Sequence, residues 1–219
     1  MKGLLVKDMM LIKKQGKFLI LVTVIAVAQA LIGDGISGFT PFITMITTMC
    51  ALLSVTTISY DDYNKGNSYL FTLPFERKTY AKEKYVFGFC IGMIGLLLSS
   101  LFAAGYAWAF IPGFTMEMLV VPVVTCIAVP IVLLAVMIPL FIKFGSEKSR
   151  YAMFAIFGVV AILGFAGSKV VEALNIRLDF SFLETMSVYL LALIALFALF
   201  CLVFISYQLS KKILLRKEF

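Results

Sequence analysis

Six stretches of the chain, 18–33, 35–60, 85–116, 118–142, 151–168 and 185–210, hold no Asp, Glu, Lys or Arg, and the charges gather in the segments between and around them. A helix needs roughly 20 apolar residues to cross about 30 Å of hydrocarbon, because its backbone polar groups must pair within the segment. The pattern predicts six transmembrane helices, over about 17–33, 39–60, 85–111, 118–142, 151–168 and 185–208. The first run is short, 16 residues or about 24 Å of helix, so Lys17 is expected to snorkel to the interface with Asp34 just outside. The third, at 32 residues, reads as one helix followed by the apolar turn Ile111-Pro112-Gly113. Pro122, Pro130 and Pro139 are expected to bend or break the fourth. Ahead of the first span, residues 1–16 place Leu5, Met9 and Ile12 at helical spacing with Lys7 and Lys14 nearer the opposite side, blurred by Leu4 and Leu11. That is the pattern of an interfacial helix. A cleavable signal peptide ending near Ala26-Val27-Ala28-Gln29-Ala30 is the rival, but the long, partly apolar lead favours a retained first span.

Composition strengthens the reading. The chain is 62% apolar and 14% charged, with a mean hydropathy of +1.05, whereas soluble domains are roughly 45–50% apolar and about 25% charged. The expected fold is all-α, one polytopic membrane domain over 1–219. Six spans put both termini on one side, and seventeen of the 19 basic residues fall on that side. These are Lys2, Lys7, Lys13, Lys14, Lys17, Lys65, Arg77, Lys78, Lys82, Lys84, Lys143, Lys148, Arg150, Lys211, Lys212, Arg216 and Lys217. The positive-inside bias makes that side cytoplasmic, so the net charge of +7 is a topological signal and gives no reason to invoke nucleic acid.

The candidate chemistry is sparse. No ionisable residue interrupts the six runs and the chain has no His, which weakens proton-relay, ion-coupled and intramembrane-protease readings. Cys50, Cys90, Cys126 and Cys201 each fall in a span without CxxC spacing and read as packing residues. Ser54, Ser99 and Ser100 lack a neighbouring base, so no catalytic residue, cofactor site or metal site is expected. No GxxxxGK[ST] is present, so ATP chemistry is expected from another polypeptide. Gly88 and Gly92 form a GxxxG, with Gly95 close by, and mark possible close helix packing.

The largest cytoplasmic loop, 61–84, is the most informative segment. Its run Asn67-Ser68-Tyr69-Leu70-Phe71-Thr72-Leu73-Pro74-Phe75 is too apolar for an idle connection. Such clusters mark an interaction site, for a protein or for the inner leaflet. With Thr56-Thr57-Ile58-Ser59-Tyr60-Asp61-Asp62 before it, Glu76-Arg77-Lys78 and Lys84-Tyr85 after it, MKGLLVKD at the start and Ser206-Tyr207 through Lys217-Glu218-Phe219 at the end, the chain resembles the small six-span permeases of type-2 ABC exporters. Within that group it is similar to permeases of phenol-soluble modulin exporters and related antimicrobial-peptide transporters. It departs from their pattern where Phe75-Glu76 replaces a small pair.

The resemblance implies that the loop is a coupling helix docking on an ABC ATPase subunit, with Tyr69, Leu70, Phe71, Thr72, Leu73, Pro74, Phe75, Glu76 and Arg77 as the contact segment. The loop Lys143 to Arg150 would be a smaller second contact. It further implies ATP and Mg in the partner, pairing with a second copy or a similar permease, a bacterial plasma-membrane location, and export of amphipathic or toxin-like peptides. Uncharged spans suit peptides or lipid-like molecules better than sugars or ions. A stand-alone immunity or assembly factor is the competing expectation.

Overall fold

The computed structural model describes residues 2–32, 38–63, 66–70, 72, 76–111, 114–173 and 188–216. Among these there is helix and no strand. Helix α1 (Lys2–Lys14) turns by 62° at Gln15 into α2 (Gly16–Ile32); α3 (Phe39–Asp62), a single-turn α4 (Gly66–Leu70) and α5 (Arg77–Phe110) follow. The helical stretch Glu117–Ala173 breaks at Gly145 (φ 76°, ψ 178°), separating α6 (117–144) from α7 (146–173), and α8 is Val188–Arg216.

Among the described residues, four stretches are long and apolar enough to cross a membrane: Phe39–Asp62, Arg77–Phe110, Met118–Ser149 and Leu193–Arg216. The bent pair α1–α2 makes a fifth if it is one span. The third uncharged run ends in the expected place, with α5 stopping at Phe110 and Ile111 N–H bonded to Ala107 O at 2.9 Å. Pro112 and Gly113 lie outside the described residues, as do Asp34, Lys65, Arg177, Asp179, Glu184 and Lys217 through Phe219.

The packing face of α5 is a ladder at helical spacing: Tyr80, Lys84, Gly88, Gly92, Leu96, Ser99, Ala103 and Ala107 are all buried. Against it lies the α3 stripe Thr47, Ala51, Ser54, Val55, Ile58 and Asp61. A Cβ on Gly88 would sit 2.6 Å from Ser54 Oγ, and one on Gly95 would sit 2.7 Å from Cys50 Cβ. The glycines thus let two backbones approach within one chain. Cys126 is buried with its Sγ 2.9 Å from Thr44 Oγ1.

Two sequence expectations change. The prolines of the fourth run do not break it: the only non-helical backbone in 117–173 is Gly145. Proline at 139 leaves Ala135 O without its helical donor, and Ser206 of α8 donates its hydroxyl to that carbonyl. Tyr85 OH in turn meets Ser206 Oγ at 2.5 Å and Ser210 Oγ at 2.9 Å, tying α5 to α8. The polar neighbours replace the lost intrahelical bond, so the helix persists.

Second, 61–84 is not one loop. Helix α3 carries Asp61 and Asp62, and α5 starts at Arg77, because Tyr80 and Lys84 have buried partners that continue the helix. Likewise 143–150 is helix on both sides of a one-residue corner, where Ser146 N–H donates to Asp62 Oδ2 at 2.9 Å and so caps the start of α7.

In α1, Leu4 and Asp8 turn inward, while Met9, with 48% of its surface exposed, faces out. In a bilayer lipid is as apolar as the protein interior, so an apolar stripe need not be the buried one.

Candidate functional site

The helix ends carrying most of the cations close over a buried ionic cluster. Asp8 reaches it from α1 because Leu4, one turn earlier on the same face, seats in the core with Ile58, Tyr80 and Leu214. Lys84 Nζ, fully buried, donates to Asp8 Oδ2, to Thr57 Oγ1 at 2.9 Å, and pairs with Asp61 Oδ2 at 3.0 Å. Lys7 bridges Asp61 and Asp8, its Nζ 3.2 Å from Asp8 Oδ1. Thr57 donates to Asp8 Oδ2 at 3.0 Å, and Tyr80 OH to Asp61 Oδ2 at 3.0 Å. The Tyr80 ring also sits beneath Lys84 Nζ, 5.1 Å from the centroid.

Three carboxylates therefore share two ammonium groups. Glu83 is the least satisfied: it is buried, meets Lys84 Nζ only at 3.8 Å, and neither carboxyl oxygen has a hydrogen-bond partner among the described residues. Burying charges costs several kcal/mol each unless pairing and hydrogen bonds offset it. The density of contacts around Lys84 supplies that offset, and it locks α1, α3 and α5 at one end.

The segment α4–Arg77 leaves from this cluster. Leu70 is buried in the same core, whereas Tyr69 is 75% exposed and Thr72 and Glu76 are also exposed. Thr72 closes a turn by donating from N and Oγ1 to Tyr69 O at 3.1 and 2.7 Å. Arg77 donates to Leu214 O at 3.2 Å, placing its charge at the C-terminal, electronegative end of α8. Of the nine contact residues expected from the sequence, Leu70 and Arg77 thus face this chain, and Tyr69, Thr72 and Glu76 face outward. Phe71, Leu73, Pro74 and Phe75 lie outside the described residues.

The cluster itself was not read from sequence as a site. Lys84 counts there as a loop cation, and Asp8 and Asp61 enter only as part of a resemblance. The available signal was position: Asp61-Asp62 and Glu83-Lys84 sit just where two uncharged runs end and begin, beside an acidic residue in a lysine-rich start.

A chain that is helical throughout its described elements, with several apolar helices of spanning length and charged groups gathered at their ends, is a multi-pass membrane protein. The chain belongs to the ABC-2 transporter family, whose model, described as ABC-2 family transporter protein, matches residues 3–214. It is therefore a permease subunit of an ABC transporter, which implies an ABC ATPase partner. No curated protein and no solved structure matches it.

Proposed function

We propose that the chain is the permease of an ATP-driven exporter of amphipathic peptides and that it takes up force from the ATPase through residues 69–77. The observation carrying this reading is the contrast within that segment. Tyr69 projects from a turn whose neighbour Leu70 is seated in the core, and whose far end, Arg77, is tied to α8. A push on the exposed side is thereby passed to the ionic cluster and to three helices at once.

In this reading the chain has six spans with both termini cytoplasmic, pairs with a second copy or similar permease, and does no catalysis itself. ATP and Mg bind the partner, and nucleotide shifts the balance between two membrane arrangements. Amphipathic peptide is favoured as cargo over sugars or ions by the absence of Asp, Glu, Lys and Arg from the six apolar runs.

The test is a detergent pull-down of the ABC ATPase with wild type, Tyr69→Asp, Phe71→Asp and Leu73→Asp, together with ATP-dependent peptide export from vesicles. Loss of complex and export with normal membrane insertion supports the docking role. Retention of the complex by all three variants overturns it. Preference for a small hydrophilic solute over amphipathic peptides overturns the cargo assignment separately.

A further inference from the structure

At the same end of the bundle, α6 and α8 flank a hollow of about 430 Å³ lined by Lys143, Leu209, Lys212, Ile213 and Arg216. The four α8 residues follow i, i+3, i+4, i+7 spacing, so one face of the helix alternates aliphatic and basic side chains. Lys143, Lys212 and Arg216 are exposed. Among the described residues no carboxylate lies within the ion-pair limit of 4.0 Å of any of them. Lys143 Nζ sits instead over the Phe144 ring, 4.9 Å from its centroid. Elsewhere this chain pairs its converging cations with acids, as the cluster around Lys84 shows. Three like charges around one hollow repel unless an anion joins them.

The depth of the hollow indicates which anion. Lys143 is the first charge after the uncharged run 118–142 and Lys212 the second after 185–210, so the cations of both helices meet where their apolar lengths end. Leu209 lies one turn back toward the apolar side. We propose that Lys143, Lys212 and Arg216 hold the phosphate of an anionic phospholipid from the adjoining leaflet, with its acyl chain against Leu209 and Ile213. A lipid placed there would bridge the C-terminal ends of α6 and α8.

Native mass spectrometry of the detergent-purified permease, titrated with phosphatidylglycerol, phosphatidylcholine or inorganic phosphate, tests this. Wild type is compared with the triple variant Lys143→Gln/Lys212→Gln/Arg216→Gln and with the charge-matched control Lys13→Gln/Lys14→Gln/Lys17→Gln. Unfolding temperatures verify that each remains folded. Tighter binding of phosphatidylglycerol than of phosphatidylcholine, weakened at least tenfold by the site triple and less than threefold by the control, is expected, since each cation near an anionic headgroup contributes roughly fivefold. Equal loss in both triples means general charge attraction and overturns the site. Displacement of the lipid by equimolar inorganic phosphate makes it a plain anion site and overturns the lipid assignment. Unchanged lipid binding with loss of the ATPase in a pull-down assigns the face to an acidic protein partner instead.

Discussion

Pro139 strands Ala135 O, and Ser206 takes up that acceptor from another helix, so the two residues act as one device. Ser206→Ala is expected to cost about 1 kcal/mol, within the range of interhelical hydrogen bonds in membranes. In a Pro139→Ala background the restored N–H reaches Ala135 O, and the same serine substitution should cost at least roughly 0.5 kcal/mol less. A cycle of thermal unfolding in detergent measures the difference; equal costs in both backgrounds would show that Ser206 acts through Tyr85 alone. Gly145 is a second such position. Its φ of 76° with ψ of 178° is essentially glycine-only territory, and a Cβ there would lie 2.6 Å from Asp62 Oδ2. Gly145→Ala should therefore lose about 2–3 kcal/mol. Asp62→Ala, which removes the cap on Ser146, should lose about 1 kcal/mol. Neither effect is visible from Pro or Gly content. Pro139 was expected to bend or break the helix because sequence does not show the hydroxyl that compensates it, and Gly145 gave no signal because the carboxylate it accommodates is distant in the chain.

Between helices, small residues decide the fit. Gly88 and Gly105 both belong to α5, yet a Cβ on Gly88 would meet Ser54 Oγ at 2.6 Å and Leu134 Cδ1 at 3.1 Å, while one on Gly105 would meet nothing within 4 Å. Gly88→Ala is expected to destabilise by about 1–3 kcal/mol through overpacking. Gly105→Ala should be neutral or gain roughly 0.5–1 kcal/mol from reduced backbone freedom. Opposite shifts of unfolding temperature would verify the contrast, and matching shifts would remove the close α3–α5 approach as its cause. This interface was partly legible: Gly88 and Gly92 stood out by spacing, and the uncharged runs marked α3, α5, α6 and α8 as apolar helices. The rest of the ladder, through Ser99, Ala103 and Ala107, was hidden among residues that suit any membrane helix. The inward face of α1, with Leu4 and Asp8, was not legible for a related reason. Leu5, Met9 and Ile12 are the apolar stripe, but Asp8 has its partners on α3 and α5, and those partners orient the helix.

Over the whole molecule, the ionic cluster is where distant parts of the chain are forced together, since Asp8 and Lys84 are 76 positions apart. No local pattern encodes such a pairing, and that is why the sequence revealed a charged membrane end but not a buried lock. Lys84 is the hinge of the arrangement: without it Asp8 keeps Thr57 and Lys7, Asp61 keeps Lys7 and Tyr80, and Glu83 keeps no cation within 4 Å among the described residues. Removing one partner of a buried pair typically costs about 3–5 kcal/mol, because the remaining charge stays desolvated. Lys84→Met should therefore destabilise by roughly that much. Lys82→Met, two residues away on an exposed position, should stay within about 0.5 kcal/mol of wild type. Adding Glu83→Leu to Lys84→Met removes the stranded carboxylate and should recover part of the loss, since replacing both charges by apolar groups is often close to neutral. Unfolding in detergent across the four proteins separates the cases. Equal effects of Lys84→Met and Lys82→Met would mean that the cluster is solvated and does not hold the three helices, leaving residues 69–77 without a rigid base from which to act.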